Sequence, residues 1–196
     1  MKMSEYLEVQ RLTYREYCAY LQRKYGIGRS DYMTASWNPR KACKRTDEGL
    51  FIHHVFEDHT IMLSHRDWAM TKPREWQAAE NLVYCDYLEH LFLHILICEY
   101  PVSHTEDVGV GGVINHLVPQ LNDLYSGWQP KMDYIKICFE LVGSDKSVYL
   151  ELLRRFMNTA YYAVLGDKCL LTSSASKYGR WSAADNRALF MEVKRL

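Results

Sequence analysis

No stretch of this chain is apolar for long enough to cross a bilayer. Roughly 20 consecutive apolar residues are needed, and the longest candidate, residues 91–98, is eight residues long and includes His94. Residues 1–10 include Glu5 and Glu8 and no apolar core, so they do not read as a signal peptide. Paired cysteines are missing as well. Cys18, Cys43, Cys85, Cys98, Cys138 and Cys169 lie far apart with no Cys-x-x-Cys, which argues against a zinc ribbon and fits free thiols in a reducing cytosol better than a disulfide framework. The expectation is a cytoplasmic protein with no membrane partner. There is no internal repeat and no low-complexity tract. Gly109-Val-Gly-Gly112 lacks the Gly-Lys-Ser/Thr ending of a phosphate loop and reads as a turn. Nor does any Ser-His-Asp or Cys-His spacing point to a nucleophile.

What is present is an aromatic-rich globular chain. Its 196 residues, 48% of them hydrophobic, include 15 Tyr and 5 Trp, which argues against disorder. Net charge is zero, with 24 Lys/Arg and 24 Asp/Glu, yet the charges are segregated. Residues 11–45 carry nine Lys/Arg against two acids, residues 46–125 three against thirteen, and residues 126–196 eleven against seven. Solvated helix faces explain such runs. So does a basic flank that grips phosphates beside an acidic middle holding a cation.

The local signals predict an α+β chain, mostly helical. Ser4 heads a helix running through Lys24, with Gly26 as its stop. Residues 26–45 form an irregular basic linker. A strand over residues 50–56 pairs with residues 60–63 through a turn at Glu57, Asp58 and His59. Residues 74–79 form a short helix and residues 81–84 are extended. Asp86 and Glu89 form a capping box for a helix ending near Glu99, which makes Glu89 a capping residue. Three further helices fall at residues 132–141, 147–165 and 182–195, the last capped by Ser182. The chain divides into residues 1–45, 46–100 and 101–196, packed as a single compact domain.

Five residues stand out as a set: His53, His54, Asn81, His90 and His94. Histidines four apart share one face of a helix and suit one metal ion. His59, His65, His104 and His116 have no such pattern and read as surface or hydrogen-bonded residues. The set resembles the HNH endonuclease motif, a strand–strand–helix metal site that hydrolyses phosphodiesters. The nine residues from Asn81 to His90 and the four from His90 to His94 match the spacing of colicin-type nuclease domains of that family.

The resemblance covers residues 50–96 and implies a small ββα-metal module embedded between N-terminal and C-terminal helices. By that resemblance His53, His90 and His94 hold one divalent cation (Mg, Mn, Ni or Zn). His54 is the general base and Asn81 orients it. The substrate is nucleic acid, DNA favoured over RNA, with Arg40, Lys41, Lys44 and Arg45 placed to contact phosphates. The 27 residues from His54 to Asn81 imply an insertion, roughly residues 59–77, that loops out. Adjacent strand residues face opposite ways, so His53 and His54 cooperate only where the strand ends or bends. An alternative reading is a catalytically inactive HNH-like scaffold from a phage or mobile element, which binds a protein partner through the C-terminal helices. In a third, the metal is purely structural.

Overall fold

A helix that is apolar all the way round has to be buried all the way round, and residues 87–99 organise the molecule on that principle. The computed structural model describes residues 1–103, 106–178, 181–182 and 184–196. His104 lies outside them. The described residues contain helices α1 (Met3–Val9), α2 (Tyr14–Tyr25), α3 (Arg66–Ala69), α4 (Tyr87–Glu99) and α5 (Val118–Tyr125). They continue with α6 (Asp133–Val142), α7 (Lys146–Phe156), α8 (Ala160–Leu165) and α9 (Arg187–Val193). Strands β1 (Phe51–His54) and β2 (Leu82–Cys85) pair antiparallel, Phe51 opposite Cys85 and His54 opposite Leu82. The protein is α+β and mostly helical, at 57% helix and 7% strand. No helix among the described residues is long and apolar enough to cross a membrane.

From Tyr87 to Cys98 every residue of α4 is buried except His90, which is half-buried. Helices α2, α6, α7 and α8 and a π-helical turn at Gly112–Leu117 pack around it. Its start is the capping box predicted from the sequence: Glu89 N–H donates to Asp86 Oδ1 at 2.8 Å, and Asp86 N–H to Glu89 Oε2 at 2.7 Å. Lys24 Nζ, 2.6 Å from Glu89 Oε1, neutralises that buried carboxylate from α2. One apolar core runs through all three predicted regions, joining Leu21, Leu88, Val113, Phe156 and Leu189.

Several boundaries differ from the sequence expectation, and each has a local cause. The helix predicted from Ser4 to Lys24 is two helices. Thr13 sits in an extended conformation and forms its own capping box with Glu16, which restarts the chain as α2. Gly26, at φ +85°, ends α2 as expected.

The predicted hairpin does not form, because β1 pairs with β2. Residues 60–63 are held by side-chain bonds instead: Thr60 Oγ1 and Ile61 N–H donate to Glu106 Oε2 at 2.7 and 2.9 Å. Asn81 closes a tight 3₁₀ turn rather than opening the strand.

Gly109–Gly112 is less a turn than a helix start, since the chain is helical from Val110 through the π turn and into α5. The predicted helix over 147–165 breaks at Thr159, whose hydroxyl accepts from Tyr162 N–H and caps α8. Ser182 does not cap the last helix. Its N–H and hydroxyl bond Asp185 at 2.7 and 2.8 Å, and α9 begins five residues later, at Arg187.

Candidate metal centre

Period two along β1 turns His53 toward α4 and His54 to the opposite side. On α4, His90 and His94 stand one turn apart and face β1. One ring nitrogen from each of His53, His90 and His94 lies within 4.8 Å of the others. His90 Nε2 and His94 Nε2 are 3.2 Å apart, and the His53 ring lies edge-on to both. The structure therefore gathers all three of the histidines expected to bind metal.

The strand ends at His54, two residues short of the expected end at residue 56, because the chain turns there. Val55–Asp58 forms a 3₁₀ turn that swings Glu57 back beneath the pair. Glu57 Oε2 is 3.4 Å from His53 Nδ1 and 3.7 Å from His94 Nε2, while Oε1 is 3.4 Å from His54 Nδ1. One carboxylate thus links two histidines that a regular strand would hold apart. In the sequence Glu57 reads only as part of a turn. The available signal was its spacing, three and four residues after the His-His pair.

Asn81 is not brought to His54. Its side-chain N–H donates to the Glu75 carbonyl at 2.7 Å. The residue facing His54 is Gln77, with Oε1 3.3 Å from His54 Nε2 and its own N–H donating to the Leu63 carbonyl at 3.1 Å. The Tyr32 ring packs edge-on against His54 at 4.7 Å between centroids. The segment 59–77, expected to loop out, instead supplies Gln77 to the site.

Burial penalises charged imidazoles. It lowers His53 to about 3 against the opposing pull of Glu57. It also lowers His90 and His94, with neighbouring imidazoles adding to the effect. For Glu57, burial pushes upward, but His53, His54 and His94 outweigh it and hold the carboxyl well below its usual range. At neutral pH the cluster is three neutral imidazoles around an anion. Nδ1 of His53 and of His90 is buried without a hydrogen-bond partner among the described residues. These residues fit a divalent cation of intermediate softness such as zinc or nickel, whereas magnesium prefers oxygen ligands.

The basic residues divide. Arg40, Lys41 and Lys44 are exposed, and Lys44 lines a groove that opens at the histidines. Arg45 is committed within the fold, bonding Glu48 through two nitrogens and the Tyr25 carbonyl through a third, and stacking on Tyr84. His65 and His116 are exposed on the same groove, and His59 is bonded to Asp58.

Comparison of the chain with protein-family models, with curated proteins and with solved structures finds no match.

Proposed function

We propose that this protein is a metal-dependent endonuclease of HNH type, hydrolysing phosphodiester bonds in nucleic acid, with DNA favoured over RNA. The observation that carries this reading is the convergence of His53, His90 and His94 from β1 and α4, with His54 and Glu57 beside them on the wall of one groove. His53, His90 and His94 would hold the cation. When bound, it would supply a positive centre for the phosphate charge and for the departing oxyanion. His54 removes a proton from water, a task suited to an imidazole near neutral pH. For His54 to act as base, Glu57 would accept from His54 Nδ1–H and leave the lone pair at Nε2; Gln77 Oε1, an acceptor 3.3 Å from that nitrogen, would then turn aside for the water. The β1–β2–α4 unit would correspond to the ββα-metal module.

The test is cleavage of plasmid and of single-stranded DNA by purified protein with Mg, Mn, Ni or Zn added in turn, beside His54→Ala. The expected result is metal-dependent cleavage with wild type, best with Zn or Ni, and loss in the folded variant. Absence of cleavage with every metal would refute the reading. A second reading, an inactive HNH-like scaffold that binds a protein, is favoured by one observation: both ring nitrogens of His54 are already engaged, by Glu57 and by Gln77. Stoichiometric metal after purification without a histidine tag is expected of the enzyme and is not required of the scaffold.

A further inference from the structure

His90 and His94 of the histidine cluster form part of the floor of a groove of about 1520 Å³, with His53 buried behind them. Its walls are largely aromatic and aliphatic. Tyr134 stands on one side, Tyr161, Val164 and Leu165 come from the α8 region, and Ile61 and Met62 from the segment after the 3₁₀ turn. Val164 is 86% exposed, Met62 50% and Tyr134 43%. Apolar side chains held in water at the mouth of a cleft are costly unless something covers them.

The charge of the groove narrows what that occupant can be. Apart from histidines, Lys44 is the one cation among its described lining residues, and Glu57 and Asp107 face it as anions. Proteins that grip a double helix do so through many Lys and Arg contacts to phosphate, and this groove has nothing like that number. A duplex also keeps its base faces stacked away from any protein ring. An unpaired strand offers them, and aromatic side chains bind such faces with little regard to sequence. The reacting groups are recessed as well, with His54 1% and His94 7% exposed. A phosphate must therefore enter the groove rather than lie across it.

We infer that the groove takes one unpaired nucleic-acid strand, its bases laid against Tyr161, Tyr134 and the apolar edge of α8, and one phosphate led past Lys44 to the histidines. This assignment of substrate class rests on the nuclease reading and deepens it.

The experiment is fluorescence anisotropy of the full chain, with zinc added, against three labelled probes. These are a short oligothymidylate, its duplex with oligoadenylate, and an abasic strand with the same phosphates. Oligothymidylate should bind at least tenfold tighter than either of the others, with a salt slope reporting only one or two phosphates. Tyr134→Ala and Tyr161→Ala should each weaken it roughly tenfold, and Tyr161→Phe should bind as wild type. Because Tyr134 is exposed, its replacement does not threaten the fold. A duplex bound as tightly as the single strand, or an abasic strand bound as well as oligothymidylate, would overturn the inference and leave the nuclease reading standing. If no probe binds while zinc does, both fall, and the groove belongs to a partner of another class.

Discussion

The phenolic oxygen of Tyr14 lies 2.8 Å from Nε2 of His53 and 3.2 Å from the carbonyl oxygen of His54. A carbonyl only accepts, so a hydroxyl proton given to His54 requires His53 to donate its own Nε2–H to Tyr14. His53 then presents its lone pair at Nδ1, the nitrogen near Glu57 that lacks a hydrogen-bond partner. Buried and reaching in from α2, Tyr14 fixes the tautomer of His53 and would stand behind it as a supporting partner if His53 binds the proposed cation. Such partners typically change metal affinity by roughly 10–100-fold. Tyr14→Phe should therefore keep the fold, lose about 1 kcal/mol of stability, and weaken zinc binding by that range in competition with a chromophoric chelator. Unchanged zinc affinity would remove Tyr14 from the site.

How much of this could be read in the chain depends on the reach of each interaction. The start of α4 was legible because Asp86 and Glu89 bond across three residues, and the facing of His90 and His94 because helical geometry fixes it. The pairing of β1 with β2 was not, since nothing local prefers Leu82–Cys85 over residues 60–63 as the partner. In the folded chain Leu82–Cys85 is fully buried beside β1, while Glu106, far along the sequence, takes the donors of Thr60 and Ile61. Tyr14 and Gln77 reach the site from 39 and 23 residues away from the histidines they touch, and no spacing rule finds such contacts. Glu57 was within reach of local reasoning. A strand that ends in a tight turn returns the residue three or four positions on to its own last side chains.

Gly112 shows why the glycine-rich segment is needed beside α4. A Cβ built there would collide with the His94 ring, meeting Cε1, Nδ1 and Nε2. The imidazole lies flush on the backbone of the π turn, a feature often found at functional sites. Gly112→Ala must push either His94 or the π turn aside, at a cost of about 1–3 kcal/mol for an overpacked site. Zinc affinity should fall with stability. Gly111→Ala, whose Cβ would meet only Asn115 Nδ2 at 3.7 Å, is the control and should do neither. A Gly112→Ala protein that binds zinc as tightly as wild type would remove His94 from the proposed metal ligands.

Glu106 gives residues 60–72 a pH dependence of definite sign. Partial burial raises its carboxyl, but the Thr60 hydroxyl, the Ile61 N–H and the Lys72 ammonium outweigh it and lower the group below its ordinary value. A carboxylate lowered by folding adds stability above its unfolded pKa and loses it as pH falls through the lowered one. Residues 60–72 should thus loosen on acidification while α4 stays protected. Hydrogen exchange corrected for intrinsic rates would show this, and Glu106→Gln should show the loosened pattern already at pH 7. Equal protection at both pH values would mean that the segment is held by something other than this carboxylate.

A single buried carboxylate also ties down the chain that follows α8. Asp123 on α5 is 1% exposed and takes four donors. Oδ1 accepts from the Ser173 hydroxyl at 2.6 Å and Asn186 Nδ2 at 2.9 Å. Oδ2 accepts from the N–H groups of Ser174 and Ala175 at 2.8 and 2.6 Å. Its neighbour Asn122 continues the clamp, donating to the carbonyls of Leu170 and Thr172 at 2.8 and 2.9 Å. Hydrogen bonds to a charged acceptor are worth more than neutral ones, and removing the acceptor strands each donor. Asp123→Ala should cost roughly 3 kcal/mol or more in urea denaturation and open residues 173–178 to proteolysis. None of these partners touches the histidines, so zinc affinity should be unchanged wherever the variant is folded. A loss of zinc binding at full stability would show instead that the C-terminal segment is coupled to the metal centre.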